Sequence, residues 1–296
     1  MSDQPDATVH IPVMPREVIE LLDLSPGLVV VDGTVGGGGH SRLILEQIGS
    51  AGMLVGLDRD NSMLARARQK VSGDNCRLVQ SSYADLPDVL RDLAIDTVDR
   101  VLVDLGLSSD QLADRSRGFG FAAGGPLDLR FDPSQGQPAG ELLQSAGADR
   151  LEQIFRDYGE DPNAARIARA IVEQRRREPV RTAEALADLV SATVGRGGRS
   201  GTHPATRVFQ ALRIAVNEEL DHLQRFLDTT LPDCLRPGGR AVVITFHSLE
   251  DRIVKNAFRD RGRWELVNRK PMTASAAEIR RNPRSRSAKV RAATLR

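Results

Sequence analysis

The chain is predicted to fold as a doubly wound α/β protein, and two observations carry that prediction. The first is the order of elements from Leu28 to Asp58. An apolar run, Leu28 to Val31, ends in Asp32, and a loop with Gly33, Gly36, Gly37, Gly38 and Gly39 follows. A helical segment opens near Ser41 with Leu43, Ile44 and Ile48 on one side, and a second apolar run, Met53 to Leu57, ends in Asp58. Strand, glycine loop, helix, strand and acid make half of a doubly wound sheet, whose ligand crevice lies at the carboxyl ends of its strands. The second observation is a fourth strand, Arg100 to Val103, that closes on Asp104. Asp32, Asp58 and Asp104 therefore meet along one edge of a parallel sheet.

Each residue type in the glycine loop has a physical purpose. Glycine lets the backbone turn with positive φ and approach a ligand closely. The N–H groups at the start of the following helix suit an anionic group, and the helix dipole adds to that. A carboxylate closing the second strand suits the two hydroxyls of an adenosine ribose. The spacing is neither that of a dinucleotide site nor that of a P-loop, since G-x-G-x-x-G and G-x-x-x-x-G-K-[ST] are both missing. This disfavours a nicotinamide oxidoreductase. A ligand-free surface turn is the alternative, and the two strand-end acids that frame the loop argue against it.

Composition narrows the class. Hydrophobic residues make up 40% of the 296, enough for an ordinary core, and no run of 18 apolar residues is present to span a membrane. The N-terminal stretch lacks the basic and apolar regions of a secretion signal. Cys76 and Cys234 form no C-x-x-C and sit near no histidine cluster, so neither a metal site nor a disulfide framework is expected. Two reduced cysteines fit a cytoplasmic location. Charge is uneven: residues 259–296 hold twelve Arg/Lys and three Asp/Glu, a net +9 that leaves −8 on the rest. Either a polyanionic partner docks near that end or the segment is a solvated tail.

Between these landmarks the chain reads as follows. Residues 1–27 are a lead-in with a helix over Pro15–Leu24. A helix over Asn61–Val71, a strand over Arg77–Gln80 and a helix near Leu86–Leu93 complete the first half. Residues 105–137 are rich in Gly, Pro and Ser, and a loop of this length is usually functional. Four short helices then fill 138–200. One long amphipathic helix is predicted from His203 to Leu227, with Val208, Leu212, Ala215, Leu220, Leu223 and Leu227 toward the core. A strand over Ala241–Phe246, another over Trp264–Val267 and a final strand in AKVRAATL close the sheet. The expected division is 1–112 and 204–296 for the α/β part, the latter with a basic C-terminal tail, and 113–203 for a loop plus an all-helical insertion.

The motifs DGTVGGGGHS, GLDRD, DLGLSSDQL, RGFGF, GPLDLRFD, YGED, HPATRVFQALRIAVNEEL, LRPGGR, FHSLEDRIVK and NPRSRSAKVR, in that order, resemble the ribosomal RNA small-subunit methyltransferase H family. The likeness runs from about His10 to Arg291. It implies a class I S-adenosylmethionine-dependent methyltransferase fold, Rossmann-like with a mostly parallel seven-stranded sheet and a helical insertion. It further implies methylation of N4 of a cytidine in the decoding, P-site region of 16S rRNA, with S-adenosylmethionine as cofactor and the small ribosomal subunit as partner. On this likeness Gly38, Gly39 and His40 match the cofactor-binding G-G-H, Asp58 the strand-end acid and Tyr83 an aromatic beside the adenine. Asp104 and Gln111 fall at cofactor-binding positions of DLG-x-SS-x-Q. The loop D-G-T-V-G-G-G-G departs from the common D-x-G-x-G-x-G, which leaves open which N–H groups meet the methionine carboxylate.

Amine methylation needs no cysteine nucleophile, whereas methylation of ring carbon 5 does. Neither Cys76 nor Cys234 lies at the corner after the fourth strand, so direct in-line attack by the amine is expected. The candidate group that accepts from the amine is Asp104 or a main-chain carbonyl beside it, with Ser108 and Ser109 nearby. Those serines are alternatively helix caps. His40 is either a general base or a ring packed at the helix start and hydrogen-bonded to loop backbone. His247 either contacts RNA or holds its own corner together. Phe119 and Phe121 either stack on a base or pack a core. Arg115, Arg117 and Arg130, and Arg175 to Arg177 on the insertion, are candidate phosphate contacts. Whether the chain acts alone or as a homodimer stays open. So do two rival readings, a methyltransferase for DNA or protein and a non-catalytic RNA-binding assembly factor.

Overall fold

A computed structural model describes residues 11–121, 125–195 and 203–296. The chain divides into two compact units, one of residues up to Ser108 together with Leu220–Arg296, the other Ser109–Glu219. The first half of the first unit contains α1 (Pro15–Leu22), β1 (Val29–Asp32), α2 (Gly39–Ile48), β2 (Met53–Asp58), α3 (Asn61–Ala67), β3 (Cys76–Gln80), α4 (Leu86–Asp92) and β4 (Val98–Asp104). The second unit contains α5 (Ser109–Ala113), α6 (Ala139–Ser145), α7 (Ala148–Asp157), α8 (Ala164–Arg177), α9 (Ala183–Val194) and α10 (Thr206–Asn217). The chain then completes the first unit with α11 (Glu219–Arg225), α12 (Leu231–Cys234), β5 (Leu235–Thr245), α13 (Ser248–Ala257), β6 (Trp264–Leu266), β7 (Met272–Thr273), α14 (Ala276–Arg281) and β8 (Lys289–Leu295).

The sheet runs β3-β2-β1-β4-β5-β8-β6, with β7 also paired to β8. Pairs from β3 through β5 are parallel, and β8 is antiparallel to β5, β6 and β7. This is the doubly wound sheet the sequence predicts, with eight strands where seven were expected. The extra one, β7, is two residues long and too short for any periodicity to reveal. The parallel strands are apolar almost throughout because helices cover both faces. One face packs Val31, Val55, Leu57, Val101, Val103 and Val243 against α4, α12 and α13, and the other packs Val30, Leu54, Leu102 and Val242 against α1 and α2. In β5 the ladder with β4 passes from Val98↔Leu235 to Arg100↔Arg240, so Pro237-Gly238-Gly239 bulges out of the strand.

Two sequence expectations are corrected here. The basic C-terminal segment is not a tail. Strand β8 lies inside the sheet between β5 and β6, and Val290, Ala292 and Ala293 are fully buried. Ending the chain after Lys270 would delete an internal strand, so such a truncation cannot report on phosphate binding alone. Nor is His203–Leu227 one helix. Glu218 adopts a left-handed conformation, φ 52, that separates α10 from α11. Its neighbour Asn217 is buried and uses its amide on local loop backbone, donating to the Leu129 carbonyl at 2.7 Å and accepting from the Phe131 N–H at 2.7 Å. Val208 and Leu212 are buried within the second unit and Leu223 and Leu227 within the first, while Ala215 and Leu220, flanking the break, are only partly buried. A periodicity of 3.6 residues continues across a single left-handed residue, which is why the pattern does not disclose the break.

In the second unit every regular element among the described residues is a helix. Leu143, Leu151, Ile154, Phe155, Ile167, Ile171, Leu186, Val190 and Leu212 are buried there. No helix among the described residues is long and apolar enough to cross a membrane.

Candidate active site

The carboxyl edge of the sheet gathers the loop after β1, the acid closing β2, the turn after β3 and the corner after β4. The loop is held by its own strand-end acid. Asp32 accepts from Ser41 Oγ at 2.6 Å and from the Thr34 N–H at 3.3 Å, which ties the start of the loop to the first turn of α2. Burial pushes the Asp32 carboxyl up, against the lowering effect of Ser41. Gly33 N–H donates to Leu102 O and Val35 N–H to Leu57 O, so the loop is stitched to both flanking strands. Gly38 caps α2 in the left-handed region at φ 79, where its missing Cβ would stand 3.3 Å from the Ala67 backbone.

Asp58 closes β2 and accepts from the Gly36 and Asp60 N–H groups, both at 2.8 Å. Withdrawal from solvent pushes its carboxyl up to about 7, despite those two hydrogen bonds. Tyr83 follows β3, buried and packed edge-to-face on Phe226 with ring centroids 5.0 Å apart. Its Cβ approaches the glycine loop closely enough that a Cβ on Gly33 would meet it at 3.0 Å. Asp104 closes β4, and its N–H donates to Thr34 Oγ1 at 2.6 Å. Thr34 thus locks the first loop to the fourth-strand corner, a role its place among the glycines does not signal.

The site's electrostatic oddity is the pair His40 and Asp104. His40 Nε2 stands 3.6 Å from Asp104 Oδ2, beyond hydrogen-bond length, and the ring is 6% exposed. Among the described residues, neither ring nitrogen nor Asp104 Oδ1 has a hydrogen-bond partner. Buried polar atoms are nearly always satisfied, so this pair retains hydrogen-bonding capacity, as Arg117 Nε, Gln144 Nε2 and His247 Nε2 also do away from this corner. Of the two readings of His40, the loop-backbone hydrogen bond is therefore not what the structure contains.

The remaining candidates divide by unit. Ser108 ends the first unit, buried, with its hydroxyl 3.2 Å from Met63 Sδ. Ser109 and Gln111 lie in the second unit on α5, with Gln111 buried. His247 is a structural cap: it opens α13, its Nδ1 accepts from the Glu250 N–H, and Glu250 Oε2 accepts from the His247 and Phe246 N–H groups. Phe119 is a core residue, stacked on Phe131 at 6.1 Å, while the half-buried Phe121 stacks on His203 at 4.8 Å.

Most of the candidate phosphate-binding arginines are spent on their own unit. Arg117 is buried and donates to the Arg130 and Phe131 carbonyls. Arg130 forms a two-pronged pair with Asp128. Arg175 donates to the Leu143 and Ala146 carbonyls at the end of α6, and Arg177 pairs with Glu173. Arg115 and Arg176 remain exposed.

Both thiols lie at the opposite edge of the sheet. Cys76 begins β3 and Cys234 immediately precedes β5, and burial raises both, Cys234 to about 11. Four residues of strand put Cys76 about 13 Å from the carboxyl edge. Neither is placed or activated as a nucleophile.

A model of the MraW methylase family matches residues 7–296. Ribosomal RNA small subunit methyltransferase H of Solidesulfovibrio magneticus is 46% identical over 316 residues, covering 99% of this chain and 96% of its own length. The protein of the same name from Syntrophotalea carbinolica is 47% identical over 304 residues, covering 96% of each. Among solved structures, an rRNA methylase from Streptococcus thermophilus is 10% identical with a TM-score of 0.42, over 95% of this chain and 93% of that one.

Proposed function

Since the chain belongs to the MraW methylase family and has the fold of a class I methyltransferase, we propose that it methylates N4 of a cytidine in the decoding, P-site region of 16S rRNA, within the small ribosomal subunit of the cytoplasm. Its cofactor is S-adenosylmethionine. The rRNA target follows the names its relatives carry. One observation supports amine chemistry at this edge: a buried carboxylate oxygen and a buried imidazole stand together at the corner after β4 without hydrogen-bond partners among the described residues.

The residues present fit the cofactor. The half-buried carboxylate of Asp58 suits two ribose hydroxyls, since each would replace solvation that burial has removed. Tyr83 offers an aromatic surface one strand further on, where the adenine belongs. Gly38, Gly39 and the first turn of α2 present N–H groups and a helix dipole to the methionine carboxylate. When bound, the cofactor supplies a methyl group on a sulfonium cation that departs as a neutral thioether.

The chain's own contribution is then to position the acceptor and manage its proton. Asp104 Oδ1 accepts one N–H of the cytosine amine, turning the nitrogen lone pair toward the sulfonium and holding it in line. His40, beside the other carboxylate oxygen, takes up the proton that the amine sheds after attack. Because both thiols lie at the far edge, the nitrogen attacks directly, without a covalent cysteine intermediate. Gln111 and Ser109 enter the same reading through the DLGLSSDQ motif alone, Gln111 as the cofactor-binding residue the resemblance implies and Ser109 as a candidate for the amine.

A mass-spectrometric map of 16S rRNA from a strain deleted for this protein tests the assignment. The expected result is loss of N4 methylation at one decoding-region cytidine, restored by the wild-type gene. An unaltered modification map would refute it.

A further inference from the structure

The arginine of the NPRSRS segment reaches the corner after β4. Arg284 Nη2 donates to the Ser108 carbonyl at 3.0 Å, and Nη1 lies 3.5 Å from the Leu107 carbonyl. These two carbonyls end the turn that begins at Asp104. The same turn is pinned from its other side: Leu105 N–H donates to Ile244 O at 3.0 Å, and Phe246 packs on Gly106. Gly106 has φ 106, and a Cβ there would meet the Phe246 ring at 3.2 Å. The guanidinium therefore supplies side-chain donors to both the 107 and 108 carbonyls.

The segment that carries Arg284 is anchored on both sides of it. Ser285 is fully buried and donates Oγ to Asn282 O at 2.7 Å. Asn282 Nδ2 donates to the Ile11 carbonyl, and Glu278 Oε1 accepts from the Met14 N–H. The lead-in thus tied down lays Pro12 against Gly39, at the start of α2. One short C-terminal segment is fastened to the lead-in that covers the glycine loop and, through Arg284, to the acceptor corner.

We infer that Arg284 is a positioning residue for methyl transfer: it holds the 104–108 turn so that Asp104 presents its carboxylate to the amine. This rests on the reading that the corner receives the amine. A two-pronged charged donor on backbone carbonyls restricts a turn more than one neutral hydrogen bond would. It also gives a role to a residue whose basic character alone suggests phosphate binding.

The test is steady-state methyl transfer to undermethylated small subunits by the full-length protein, with binding of S-adenosylhomocysteine measured separately by calorimetry. Arg284→Ala is expected to lower kcat roughly 10- to 100-fold, the effect of misplacing the acceptor carboxylate by a fraction of an ångström to about 1 Å. KM for subunits and cofactor affinity should stay within about twofold. Arg284→Lys should fall in between, restoring charge without the fork. A raised KM with kcat intact would make Arg284 a phosphate contact and overturn the inference. Loss of cofactor binding in step with kcat in both variants would reduce it to a fold-maintaining role and overturn it equally. Should the alanine variant not fold, the lysine variant decides: full kcat overturns the inference and a partial loss supports it. Asp104→Asn run alongside separates the two levels. An inactive Asp104→Asn with a fully active Arg284→Ala sinks only this inference, whereas a fully active Asp104→Asn sinks the reading of the corner as well.

Discussion

The two edges of the sheet carry similar residues and treat them oppositely. At the amino edge Asp99 is buried, yet it accepts from the Val29 N–H at 2.6 Å and pairs with Arg236 at 2.6 Å. Arg100 and Arg240 beside it donate to the Leu22, Asp23 and Leu21 carbonyls that end α1, and both also face the Asp23 carboxylate. At the carboxyl edge no arginine pairs with Asp32, Asp58 or Asp104 among the described ion pairs. There the Asp32 and Asp58 carboxyls are pushed up, and His40 and Asp104 keep unsatisfied atoms. A buried charge with its partners in place is costly to disturb, whereas a charge without them is available to a ligand. The contrast supports the proposed site independently of any motif.

Removing charge at each edge should break different properties, and Asp104 gives the largest effect. Asp104→Asn is isosteric and keeps the Asp104 N–H bond to Thr34, but its side chain no longer offers a carboxylate to the amine. We expect kcat to fall about 100-fold or more, in the range of lost proton management and charge stabilisation, with cofactor affinity within a few-fold by calorimetry. Full turnover would remove Asp104 from the acceptor role.

The next effect is one of pH. With its carboxyl near 7, Asp58 is mostly protonated at pH 6 and mostly ionised at pH 8. Ribose hydroxyls need the ionised acceptor, so S-adenosylhomocysteine should bind about tenfold more tightly at pH 8 than at pH 6. For the ligand-free fold the sign reverses. A raised carboxyl contributes stability that is full below its ordinary 3.8 and is lost as pH rises through about 7. Cofactor protection against thermal unfolding should therefore grow over the same window. A pH-independent affinity, unchanged by Asp58→Asn, would contradict this account.

The smallest effect on catalysis belongs to the amino edge. Asp99→Ala strands the Val29 N–H and an arginine partner, which should cost roughly 1–3 kcal/mol in denaturant unfolding. Turnover at saturating substrate should be unchanged, because the affected groups lie a strand's length from the site. A loss of kcat without a loss of stability would erase the distinction between the edges.

Much of this was legible in the sequence, and the legible part is local. The glycine loop and the acids closing β1, β2 and β4 announce themselves because a strand end, a turn and a helix start each have nearby chemical signatures, whereas Tyr83 is singled out by the family resemblance alone. The helices of 138–200 are legible for the same reason. The break at Glu218 is not, since one left-handed residue leaves the apolar period intact. The inward turn of Arg117, Arg130 and Arg175 is equally silent, because composition records a charge but not the carbonyl it meets.

The chain by itself therefore determined the doubly wound class and the acids and glycines that stand at the carboxyl edge of its sheet. Only the tertiary structure decided that the last strand enters the middle of an antiparallel flank, which turns a basic segment into sheet core and carries Arg284 to the corner after β4. It also decided which acids find arginines and which do not. The reason is that the fold brings together residues 70 to 264 positions apart, such as Thr34 with Asp104 and Glu278 with Met14. Pairings at that range are set by where strands insert and how burial strips water from each group, neither of which is written in neighbouring residues.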